Sequence, residues 1–96
     1  MSASSDLVAE GVVVLPADLH ARPAGQVTTL AAKFDAIVEV VVGDRTVPAH
    51  SVLAVMGLGA RAGQELTVRA TGAQASEAVA AVTAALSVAD PAEDER

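Results

Sequence analysis

Apolar and polar positions change period several times along the 96-residue chain, and each change marks an element. Leu7 to Leu15 is valine-rich and reads as a first strand, with Gly11 inside it as a bulge or a point of close approach. From Ala21 to Phe34 the spacing turns helical: Val27, Leu30, Ala31 and Phe34 share a face, while Gln26, Thr29 and Lys33 fall largely elsewhere. Ile37 to Val42 is β-branched and reads as a second strand. Gly43-Asp44 fits a two-residue hairpin turn, with glycine supplying positive φ at its first position. Arg45 to Pro48 is then a short third strand, ended by proline. Ser51 is a good N-cap for a short helix running to about Leu58, and Gly57, Gly59 and Gly63 punctuate its exit. Gln64 to Ala70 alternates, with Leu66 and Val68 on one face, and reads as a fourth strand. Ala73 to Ser87 is a last helix with Ala75, Ala78, Val79, Val82 and Leu86 in one apolar stripe.

The order β-α-β-β-α-β-α predicts an α+β fold, a two-layer sandwich of sheet and helices, without fixing the strand order. The length fits one domain, expected over residues 7–88. Residues 1–6 are expected to be a flexible N-terminus, and the polar, proline-opened stretch 89–96 a disordered acidic tail. Phe34 is the sole aromatic residue, so the core is aliphatic. The net charge of −6 excludes general nucleic-acid binding, which needs a basic surface. No apolar run has the length of a membrane span and no secretory signal opens the chain, so direct membrane insertion is not expected and the expected location is cytoplasmic. With no cysteine, disulfides and thiolate metal sites are unavailable.

The segment Leu19-His20-Ala21-Arg22-Pro23-Ala24 carries candidate chemistry. It sits where a strand gives way to a helix, and Pro23 falls in the first turn, where a missing N–H is tolerated. A helix start presents unpaired amides and a partial positive charge to an anion. Arg22 adds a cation whose donor fork suits phosphate, and His20 is a nucleophile at neutral pH. Together they point to a histidine that receives and passes on a phosphoryl group, with the amides of Ala21 and Arg22 directed at it. Imidazole both attacks and leaves readily, and the relay calls for no metal and no cofactor. A stand-alone enzyme is not expected, because no second acid or nucleophile–base set accompanies His20.

This segment resembles the active-site signature of HPr, the histidine phosphocarrier of the phosphoenolpyruvate-dependent sugar phosphotransferase system of bacteria. Ser51-Val-Leu-Ala-Val-Met-Gly-Leu-Gly59 resembles that family's regulatory-serine helix, at the family's usual separation. The resemblance runs from about Leu7 to Leu86. It implies a four-stranded antiparallel sheet, order 1-4-2-3, in an open-faced sandwich with three helices on one face. It implies that Nδ1 of His20 carries the phosphoryl group, that enzyme I is the donor and that sugar-specific enzyme II components are the acceptors. It further implies a serine kinase/phosphorylase acting at Ser51, and a monomeric carrier.

On the short helix, spacing turns Val55 and Leu58 inward and leaves Leu53 and Met56 exposed as a docking surface, with Val52 poised between core and surface. The face is poor in lysine, so electrostatic steering toward an acidic partner is expected to be weak. Asp18 departs from the family, which commonly has glycine two residues before the histidine. Asp18 is expected to adopt the turn conformation, since aspartate tolerates left-handed geometry, and its charge is expected to slow or retune transfer. Two other readings stay open: an HPr-like carrier of a dihydroxyacetone-kinase or nitrogen-regulatory branch, and a regulatory binding protein using the Ser51 helix without transfer.

Overall fold

The structure is a computed structural model that describes residues 7–88; the segments 1–6 and 89–96, expected as a flexible N-terminus and a disordered tail, lie outside the described residues. Its elements in chain order are β1 (Val8–Val14), α1 (Ala21–Ala31), β2 (Ile37–Val42), β3 (Arg45–Pro48), α2 (Val52–Gly57), β4 (Glu65–Thr71) and α3 (Ala75–Leu86). The four strands form one antiparallel sheet in the order β1-β4-β2-β3, as the family resemblance implies.

β2 and β3 match the expected bounds because the turn between them is specified locally. Gly43 takes φ 62 and Val42 pairs with Arg45, leaving Gly43-Asp44 as the loop. α1 is shorter than its apolar spacing. After Ala31 the chain tightens, Lys33 N–H donating to Leu30 O at 3.0 Å and Ala36 N–H to Phe34 O at 2.9 Å. Phe34 still packs on the core from this turn, so the apolar period outlasts the helix. α3 starts at Ala75 rather than Ala73 because Gly72 holds φ 138. A Cβ at Gly72 would lie 2.9 Å from both Ala36 Cα and Asp35 O, which only glycine avoids. Gln74 then fastens this corner, its N–H donating to Asp35 O at 2.9 Å and its Oε1 accepting from Asp35 N–H at 2.8 Å.

One sheet face is buried, and alternation sets which residues it receives: Val13 of β1, Val38 and Val40 of β2, and Leu66, Val68 and Ala70 of β4. α3 packs on β1 and β4, α1 packs on α3, and α2 lies against α1 and β3. Leu66, Val27, Val40, Val55, Val68 and Val82 are the largest fully buried side chains, each contributing about 1.5–3 kcal/mol of transfer free energy. Gly11 marks a close approach and not a bulge, since it pairs with Val68 in unbroken register. A Cβ there would stand 2.9 Å from Val79 Cγ1 and 3.1 Å from Thr83 Cγ2 of α3. The other sheet face is open, with Val8, Val12, Val14 and Ile37 exposed around Arg69, whose Nε donates to Glu10 Oε2 at 2.8 Å.

The strand order decides what meets at the sheet's end. β1 and β4 are antiparallel neighbours with Val14 opposite Glu65, so the segment leaving β1 and the segment entering β4 share one edge of the molecule.

Candidate functional site

Residues 15–20 are stitched to residues 60–64 at that edge. Leu15 N–H donates to Gln64 O at 2.9 Å, and Gly63 N–H donates back to Leu15 O at 2.8 Å. Leu19 N–H donates to Ala60 O at 2.9 Å, while its side chain is buried in the core. Ala62 N–H donates to Asp18 Oδ1 at 2.8 Å. His20 follows directly, so the residues before it are held by both backbone and side-chain bonds.

His20 is the N-cap of α1, in extended conformation at φ −85 and ψ −171. Its carbonyl accepts Ala24 N–H at 3.0 Å and opens the helix. Its imidazole makes no cap bond and is exposed to solvent. The ring is therefore presented outward at the positive end of an 11-residue helix, with Ala21 and Arg22 in the first turn and Pro23 contributing no donor. His20 and Ala21 line an open depression together with Asp18, Met56 and Arg61. Arg22 is also exposed, but it lines a separate groove with Gln26, Thr29 and Ala85 between α1 and α3.

Asp18 does not take the left-handed geometry expected of it. Among the described residues positive φ is confined to glycine. The turn at Asp18 is held instead by the bond from Ala62 N–H, which needs a side-chain acceptor oxygen and no unusual backbone.

Ser51 is the N-cap of α2 as its position in the sequence predicts, its Oγ accepting Ala54 N–H at 3.1 Å. At the other end of α2, Arg45 Nη2 donates to Gly57 O at 2.9 Å and Nη1 to Leu58 O at 3.3 Å. A cation on the last carbonyls complements the helix dipole, a role that the short β3 strand did not advertise. Val55 and Leu58 are buried, Leu53 is 81% exposed and Met56 38% exposed, which is the division the spacing predicts. Val52 is half-buried and packs on the core edge. Thr28 Oγ1 donates to Ala49 O at 3.0 Å and ties α1 to the approach of α2.

The structure thus brings His20 and Met56 together, extends the exposed apolar surface to Leu53, and places Arg61 beside them. Arg61 was not singled out in the sequence, where it is an isolated cation in the run Gly59-Ala-Arg-Ala-Gly63. Its one available signal was topological: strands ordered 1-4-2-3 put the loop before β4 next to the loop after β1.

The profile of the family described as the PTS HPr component phosphorylation site matches residues 8–87. The crystal structure of the phosphocarrier protein HPr from Bacillus anthracis is similar with a TM-score of 0.76 at 29% identity, over 83% of this chain and 98% of that one. Crh, the catabolite repression HPr of Bacillus subtilis, is similar with a TM-score of 0.68 at 31% identity, over 77% of this chain and 85% of that one. A multiphosphoryl transfer protein of Xanthomonas campestris is 39% identical over 66 residues, which is 69% of this chain and 8% of that protein's length.

Proposed function

The chain belongs to the HPr family of phosphotransferase-system phosphocarriers, and from that membership we propose that His20 accepts a phosphoryl group from phosphorylated enzyme I and hands it to an enzyme II component. The observation that carries this reading is the imidazole itself, exposed at the N-terminus of α1 and unused as a cap. The Nδ1 lone pair of His20 attacks phosphorus in line. A new N–P bond forms as the N–P bond of the donor histidine breaks, and the donor imidazole keeps the electron pair. Transfer onward repeats the exchange in the other direction.

The protein's contribution is position and charge. The amides of Ala21 and Arg22 at the helix start are directed to the phosphoryl oxygens, and the Arg22 guanidinium offsets their charge. Leu53 and Met56, flanked by Val52, form the apolar docking surface beside the site. Ser51 is the regulatory position in this reading. A phosphate there would sit favourably on the α2 dipole and leave the fold intact, while placing negative charge next to the docking surface.

Incubation with enzyme I and radiolabelled phosphoenolpyruvate tests the proposal. The expected product carries acid-labile, base-stable phosphate, absent from His20→Ala. Equal labelling of His20→Ala would refute it.

A further inference from the structure

Asp18 is where this chain leaves its family's pattern, and the structure gives that departure a partner. Its Oδ1 accepts the N–H of Ala62, 44 residues away in sequence, at 2.8 Å. On the other side of Arg61, Ala60 O accepts the N–H of Leu19 at 2.9 Å. Arg61 is therefore gripped between two residues that are each bonded to the segment before His20. Its own backbone is fixed as well, N–H to Gln64 Oε1 at 2.8 Å and O from Gln64 N–H at 3.0 Å. An exposed arginine on so constrained a backbone lines the same depression as His20, whereas Arg22 lines a different groove.

We propose that Asp18 is a positioning residue and Arg61 the cation it positions: the carboxylate clamps the Arg61 loop against the His20 loop, so that the guanidinium offsets charge on the phosphoryl group in transit. The inference rests on the phosphocarrier reading above and deepens it. No further bond is made or broken; Arg61 donates N–H groups to oxygens whose charge grows as the phosphoryl group moves. The geometry also answers the cost of an acidic residue beside an anion, since the same carboxylate that brings negative charge holds the loop that carries a positive one.

The test is the transfer rate from phosphorylated enzyme I to the 96-residue chain, measured over a range of donor concentrations. Asp18→Ala, which removes the acceptor, is expected to lower the maximal rate about tenfold with an unchanged half-saturating concentration. Asp18→Asn keeps an acceptor oxygen for Ala62 N–H and is expected to restore the rate to within about threefold of the native protein. Arg61→Gln is expected to match Asp18→Ala, and the double variant to be no slower than the slower single one, because the two residues act as a unit. The proposal is overturned if Asp18→Ala transfers at the native rate, if Asp18→Asn is as slow as Asp18→Ala, if the losses multiply, or if only the half-saturating concentration changes. Arg61→Gln leaves the clamp intact, so native-rate transfer by that variant overturns the proposal even where Asp18→Ala fails to fold. Absence of label on the native protein overturns the phosphocarrier reading itself, a result no variant can imitate.

Discussion

Replacing Ser51 separates what that residue does for the fold from what a charge there does to docking. α2 has only six residues, and its first turn relies on the Ser51 Oγ, which accepts Ala54 N–H at 3.1 Å. Ser51→Ala leaves that amide half-buried and unpaired, a loss of about 1 kcal/mol. For a domain of this size that is roughly 4–8 °C in Tm. The helix itself persists, because Val55 and Leu58 are buried and Arg45 still holds the last carbonyls. Saturated transfer to His20 is therefore expected to be unchanged below the melting range. Ser51→Asp differs in both respects. Aspartate caps as well as serine, so Tm stays near the native value, but its charge at the margin of Leu53 and Met56 weakens association with an acidic donor. Thermal melts by circular dichroism and labelling at several donor concentrations read the two effects independently. An alanine variant that melts with the native protein would refute the cap's contribution. An aspartate variant as unstable as the alanine one would show that Ala54 N–H is not the group being served.

Gly11→Ala pushes a Cβ to 2.9 Å from Val79 Cγ1 and is expected to cost about 1–2 kcal/mol, seen in urea melts. Gly25→Ala meets nothing within 4 Å inside α1 and is expected to stabilise by about 0.5–1 kcal/mol in the same melts. Gly72→Ala combines φ 138 with backbone contacts at 2.9 Å and is expected to cost more than about 2 kcal/mol, or to prevent folding, as judged by expression and circular dichroism. Leu53→Ser removes an exposed side chain, so stability is expected within about 0.5 kcal/mol of native while the donor concentration for half-saturation rises several-fold.

The sequence was legible where structure is decided by neighbours. Gly43-Asp44 and Pro48 fix β2 and β3 to the residue, and Ser51 announces α2 through a bond three residues long. The helix ends were less legible, because long-range packing sets them. Phe34 packs against the core yet lies outside α1, and α3 waits for Gly72 and Gln74 to close against Asp35. The His20 segment stood out as a candidate because a histidine, an arginine and a helix start fall together in one short stretch. The rest of the site was not. Asp18 and Ala62 meet only because β1 lies beside β4, and an aspartate's partner on a distant amide leaves no trace in local spacing. The same distance hid Arg61, while the position of Arg22 on the helix flank depends on a groove that α3 completes.

The pairing of β1 with β4 has a kinetic consequence. Val8 sits opposite Thr71, so this ladder closes across most of the described chain, and contacts of such span form slowly. Among the described residues β1 is an edge strand with β4 as its neighbour, so it pairs only after β4 exists. On a polypeptide still emerging from the ribosome, the loop before His20 is therefore expected to lack its bonds until residues 60–64 have left the tunnel. The shape of the candidate site is thus expected to arrive late in synthesis, with its second half supplied by residues 60–64.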